Sequence, residues 1–172
     1  GSFVEQDPAT IEATLAVNTL APMLLTHKVL PGMLERDSGH IVNIGSTFGS
    51  IAFAWFTAYS TSKFAVRGFS QALRRELADT GVKVTYIAPR AVKTPINSSA
   101  VYDMAKTIKM NMDEPEVVAK QIIASIEKQQ KECYIGFPES LFVRINAVLP
   151  GLVDNSLRQQ DQIAKAYATR KP

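Results

Sequence analysis

Cysteine is almost missing from this sequence. Cys133 stands alone, which excludes an intrachain disulfide and a cysteine-rich metal site and suits a reducing, cytoplasmic setting. Its place between Glu132 and Tyr134-Ile135-Gly136 in a short strand-like run marks it as a structural thiol. Histidine is nearly as scarce. His27 and His40 lack companion ligands at metal-binding spacing, so no metal site is expected. Charge of one sign is lacking too: the net charge is +3, and the basic residues are scattered. Their densest group, Arg67, Arg74 and Arg75, shares its helix with Glu76 and Asp79, which argues against a nucleic-acid partner. No uninterrupted apolar run reaches the roughly 18 residues of a membrane-spanning helix. No charged-then-apolar leader opens the sequence either. Neither a transmembrane segment nor a signal peptide is therefore expected.

What is present is an ordinary globular mixture. With 46% hydrophobic residues among 172, the chain suits one domain, 1–172, with a real core. Asp7 can cap and Pro8 can open a helix over 8–34, with Pro22 as a kink that frees the carbonyl of Asn18. Residues 40–45 read as a buried strand, and 58–78 as a helix with Phe64, Phe69, Leu73 and Leu77 at helical spacing. A second apolar strand spans 82–88. An irregular stretch covers 90–112, and Pro115 opens a further helix. A third strand over 133–137, a short apolar helix over 141–149 and a polar tail complete the order. Apolar strands separated by long helices point to an α/β fold, a parallel sheet covered on both faces.

The chemistry concentrates in Ser46, Tyr59 and Lys63. Tyr59 and Lys63 are one helical turn apart and share a face. Ser46 lies thirteen residues upstream, at the end of the first strand. A phenol titrates near 10 and needs help to move its proton at neutral pH; an adjacent ammonium favours the phenolate. Spacing alone decides nothing, because Tyr102 and Lys106 repeat it. Proline occupies position 89, thirteen residues before Tyr102, and no strand ends in a serine there, so the second copy is expected to be inert.

Together, Asn18, the strand Ile41-Val42-Asn43-Ile44-Gly45-Ser46, Tyr59-Ser60-Thr61-Ser62-Lys63, and Ala88-Pro89 before Thr94 resemble the short-chain dehydrogenase/reductase family. The resemblance implies a Rossmann-like three-layer α/β/α fold and an NAD(P)-dependent oxidoreductase that interconverts an alcohol and a carbonyl. It implies Tyr59 as general acid/base, Ser46 holding the substrate oxygen, Lys63 depressing the phenol and bonding the nicotinamide ribose, and Asn18 anchoring a water. Pro89, Val92 and Thr94 would line the nicotinamide. The family's Gly-rich pyrophosphate turn and its first strands have no counterpart here, so the chain resembles the C-terminal two-thirds of a member. NAD and NADP therefore stay undecided, and a catalytically silent scaffold or oligomerisation fragment is the alternative. Members commonly dimerise through the helices matching 8–34 and 58–78, which implies a homodimer or homotetramer. Where the family has glycine after Pro89, this chain has Arg90, either a surface residue or a cation for phosphate or an anionic substrate. Phe53, Trp55 and Phe56 would shape a pocket for a bulky apolar small-molecule substrate or pack as core or interface. Residues 140–153 would close over substrate, meet a partner or touch a membrane surface.

Overall fold

A computed structural model describes residues 1–168. Three parallel strands form the sheet in the order β1-β2-β3: β1 at Gly39–Ile44, β2 at Val82–Pro89 and β3 at Glu132–Ile135. Gly39 pairs with Val82 and Ile44 with Ile87; on the other side Tyr86 pairs with Glu132 and Pro89 with Ile135. The central strand is flanked on both sides, so its Thr85–Ala88 segment is buried throughout. This is the continuous apolar pattern expected of a parallel strand covered on both faces.

Side chains alternate across β2 and so reach two different cores. On one face, Val82 and Val84 pack with Ile41, Leu73 and Leu77, joined by Leu30, Met33 and Phe69. Ile41 comes from β1; Leu30 and Met33 come from α2 (Ala21–Glu35), and Phe69 and Leu73 from α3 (Thr57–Glu76), with Leu77 just after it. On the other face, Ile87 and Ile135 pack with Val118, Ile122 and Ile126 of α5 (Pro115–Glu127). Cys133 sits against this second core, as a structural thiol should. A third cluster, Phe53 with Met104, Ile108 and Ala164, lies where α4 (Ser99–Thr107) meets α7 (Pro150–Ala168). Helix α6 spans Glu139–Val148.

The first helix starts where its caps predict. Asp7 Oδ1 accepts the Ala9 N–H at 3.2 Å, and Pro8 follows at the first helical position, α1 running Pro8–Leu15. Its irregularity differs from the expected kink. Residues Ala16–Leu20 form a π turn, with the Ala21 N–H bonding the Ala16 carbonyl, and Pro22 falls at the start of α2. Because proline cannot donate, the wide turn absorbs the break before Pro22, and the axis continues to Glu35. Among the described residues, Pro8–Glu35 is the one helix long and apolar enough to cross a membrane by length and composition. No uninterrupted run foretold this, since Asn18, Thr19, Thr26, His27 and Lys28 break the apolar pattern. Asn18 and Thr19 tie the helix to α3 instead.

Two stretches expected to be irregular are helical. Within 90–112, Ser98 caps α4 through its side chain. The polar tail forms α7, because Val153, Leu157 and Ala164 recur at helical spacing and bury against α4 and the loop after β1. Strand β3 ends at Ile135, two residues before the expected limit. Gly136 turns out of it with φ +105, and the Arg90 side chain would lie 2.4 Å from any Cβ placed there.

Candidate active site

The ends of β1 and β2 deliver the site. β1 carries the chain to Ser46, whose backbone is extended and whose hydroxyl accepts the Phe48 N–H at 3.1 Å. That bond fixes the Oγ lone pairs and leaves its proton free to be donated. A short 3-10 turn, Thr47–Gly49, then leads into the loop before α3. The first turns of α3 present Tyr59 and Lys63 on one face. The Lys63 Nζ stands 5.6 Å from the centre of the Tyr59 ring and donates to the Ile44 carbonyl at 3.3 Å. The Ser46 hydroxyl is near enough to the Tyr59 phenol to favour its phenolate form. All three sequence-selected side chains thus meet at one place.

The electrostatics differ from expectation in one respect. Burial pushes the Tyr59 phenol above its ordinary value, and the Ser46 hydrogen bond draws it only part of the way back. Burial lowers the Lys63 ammonium. Lys63 does not depress the phenol here, because its charge sits over the ring face and is turned toward the Ile44 carbonyl. Loss of solvation therefore decides the direction.

Asn18 reaches the same region through one intermediary. From the π turn its Nδ2 donates to the Ser62 Oγ at 3.1 Å, and Ser62 donates to the Tyr59 carbonyl at 2.7 Å. Thr19 Oγ1 bonds the Ser62 carbonyl at 3.1 Å. Ser62 is fully buried and did not stand out in the sequence. Its signal was the small polar residue directly before Lys63, on the α3 face that lets the Asn18 helix approach closely.

Pro89 ends β2 beside Ile135, and Val92 bridges to Asp113. The Val92 carbonyl accepts Asn97 Nδ2 at 2.7 Å, while the Thr94 carbonyl accepts the Tyr102 phenol at 3.0 Å. Tyr102 is spent on its own loop, and no serine-ended strand meets it. Pro89, Val92 and Thr94 lie along one segment leaving the sheet, on a different element from Ser46, Tyr59 and Lys63.

Arg90 serves neither of its expected roles. Its Nε and Nη2 grip both oxygens of Asp113 at 2.9 and 2.7 Å, and Nη1 bonds Glu139 at 2.8 Å and the Phe137 carbonyl at 2.9 Å. Two carboxylates hold the guanidinium above its already high ordinary pKa. With its charge met, Arg90 is a clamp joining the end of β2, the entry to α5 and the β3–α6 turn.

Two hollows lie on either side of Phe48, and Tyr59 borders one of them. One is an open cleft bordered by Asn18, Trp55, Phe56 and Tyr59. The other is a more enclosed cavity of about 360 Å³ walled by Ile51, Phe53, Phe142, Val153 and Leu157, with Arg90 and Asn111 at its polar end. Phe48 separates the two: it lines the cavity, stacks on Phe53 at 5.2 Å and meets Tyr59 edge-on at 6.3 Å. Phe53 therefore shapes a cavity wall, Trp55 and Phe56 border the cleft, and Phe142 and Val153 of the 140–153 segment line the cavity.

Residues 1–105 match the sequence model of the short chain dehydrogenase family. Over 151 residues the chain is 34% identical to estradiol 17-beta-dehydrogenase 11 of Homo sapiens, an overlap of 86% of this chain and 48% of that protein. Dehydrogenase/reductase SDR family member 7B of Bos taurus is 31% identical over 159 residues, 88% of this chain and 49% of that protein. Among solved structures, a short-chain dehydrogenase from Streptomyces avermitilis superposes with a TM-score of 0.72 at 26% identity, covering 96% of this chain and 65% of that one. A short chain dehydrogenase from Burkholderia cenocepacia in complex with NADP gives 0.75 at 21% identity, covering 91% and 63%. The chain belongs to the short-chain dehydrogenase family, and its fold is Rossmann-like. It spans about half the length of the curated relatives it matches.

Proposed function

We propose that this chain carries the proton-transfer half of an NAD(P)-dependent oxidoreductase that interconverts an alcohol and a carbonyl. The meeting of Ser46, Tyr59 and Lys63 at the strand ends carries this reading. Bound nicotinamide would supply or accept the hydride. The residues present fit its nicotinamide end: Lys63 offers N–H groups beyond the one on Ile44, and among the described residues it is in no ion pair. No Gly-rich pyrophosphate cradle stands among the described residues.

In carbonyl reduction, Ser46 donates its hydroxyl proton in a hydrogen bond to the substrate oxygen, and Tyr59 gives that oxygen its phenolic proton. In alcohol oxidation the Tyr59 phenolate takes the hydroxyl proton back. Lys63 orients ribose hydroxyls, and Asn18 sets the α3 backbone through Ser62. The apolar cavity behind Phe48 favours a bulky apolar substrate. The exposed apolar side chains of Val17, Leu20, Leu24 and Leu25 support assembly into a homo-oligomer through the first helix.

The raised phenol sets a sign for pH dependence. Tyr59 is protonated through the neutral range, so it is ready as an acid, while its basic form appears only as pH rises past its elevated value. We expect kcat/KM for alcohol oxidation to climb through the alkaline range, and that for carbonyl reduction to stay flat near neutrality and fall above it. A pH-independent oxidation rate would remove Tyr59 as the base.

Trp55, the sole tryptophan, borders the cleft and belongs to the aromatic cluster beside the cavity. Titration with NADH or NADPH should change its fluorescence in the parent chain and equally in Tyr59→Phe, and an aryl ketone should act where acetone does not. Cofactor binding only by a longer polypeptide, with none by this chain, would favour the silent-fragment alternative.

A further inference from the structure

The loop from Gly45 to Ser50 carries the serine of the site, and what holds it lies underneath. Tyr86 stands in the middle of β2, fully buried, on the face toward α3 with Val66 and Ala88. Its phenol reaches up to the loop and donates to the Ser46 carbonyl at 3.2 Å. The same carbonyl accepts the Gly49 N–H at 2.9 Å, so both of its lone pairs are engaged and the peptide after Ser46 is fixed in orientation. The Gly45 N–H is held in turn by the Ile87 carbonyl at 2.7 Å.

The ring also explains Gly45 and contributes at Gly49. A Cβ on Gly45 would fall 2.2 Å from the Tyr86 ring, and one on Gly49 would fall 2.7 Å from the Tyr86 hydroxyl. The ring occupies the volume that a side chain at 45 would fill, and at 49 it shares that volume with the Lys63 carbonyl, 2.6 Å from a Cβ there, so the loop rests on it. A second phenol supports the far end. Tyr134 meets Tyr86 edge-on at 6.3 Å and accepts the Ser50 hydroxyl at 3.2 Å.

We propose that Tyr86 is a positioning residue of the active site: through the Ser46 main chain it sets the direction in which the Ser46 hydroxyl meets Tyr59. The inference rests on the proposed Ser46–Tyr59 chemistry. Burial drives the Tyr86 phenol far above its ordinary range, so it remains a donor at any working pH. Phenylalanine in its place would keep the ring under the glycines and remove the hold on the carbonyl alone.

The test follows the Tyr59 phenol by NMR of tyrosine labelled at Cζ, in this chain without cofactor or substrate, with Tyr59→Phe assigning the signal. The Tyr59 titration should move upward in Tyr86→Phe, in the direction expected for Ser46→Ala, and Tyr86→Phe should add nothing in the Ser46→Ala background. Gly45→Ala, which presses a methyl on the same ring from the loop side, is the second arm and should move Tyr59 the same way. An unmoved Tyr59 signal in both variants that still fold, or an additive shift in the double variant, would overturn the proposal. In the active holoenzyme, Tyr86→Phe should cut kcat about tenfold, less than the roughly 10²–10⁴-fold of losing the acid–base group itself, and leave the cofactor KM alone. Since the titration needs no turnover, it fails separately from the reaction itself.

Discussion

Tyr59→Phe lowers turnover by roughly 10²–10⁴-fold, the usual contribution of a positioned general acid–base group. The substitution removes one oxygen and keeps the ring, so the edge-on contact with Phe48 and the packing of α3 persist. Melting temperature and cofactor affinity should stay near those of the parent, which separates chemical loss from structural loss. The measurement is kcat under saturating cofactor and ketone, beside a thermal melt. A variant within threefold of the parent would mean that the substrate oxygen takes its proton elsewhere. Ser46→Ala should give a smaller loss through a raised phenol, because the hydrogen bond that partly offsets burial would be gone.

Arg90→Ala is the substitution expected to cost most stability. It takes the cation from Asp113 and leaves Glu139 only its bond from Asn111, with side chains that keep just 15% and 26% of their exposure. Removing one member of a buried ion pair costs roughly 3–5 kcal/mol, and partial exposure here argues for about 3. For a chain of this size that corresponds to a melting temperature lower by about 6–12 °C. Arg90→Lys should recover little, since an ammonium cannot reproduce the two-pronged grip on Asp113. Denaturant melts of the three proteins check this, and a shift under about 1 kcal/mol would show the clamp to be idle. Because Arg90 and Glu139 also border the cavity, ketone KM should rise in the same variant.

How much of this was legible depended on whether the determining contact was local. Caps, strand periodicity and the one-turn spacing of Tyr59 and Lys63 are local, and α1, β1, β2, α3 and α5 followed from them. Helix α7 was missed because its stripe of Val153, Leu157 and Ala164 is thin. Leu157 and Ala164 gain their burial against Phe53 and Met104, far away in the chain. The acidity of Tyr59 was misjudged because the sequence pairs it with an ammonium but cannot show where that ammonium points. Arg90 read as a surface residue or a cation for an anion for the same reason: Asp113 and Glu139 are 23 and 49 residues distant.

The sequence by itself determined the parallel α/β order, the family and the trio Ser46, Tyr59 and Lys63, because hydrophobic period and helical pitch are written into neighbouring residues. Tertiary structure alone decided the sign of the phenol's shift, the neutralisation of Arg90 and the support of Ser46 by Tyr86. Each of those depends on desolvation or on contacts between strands and loops that only the folded sheet brings together.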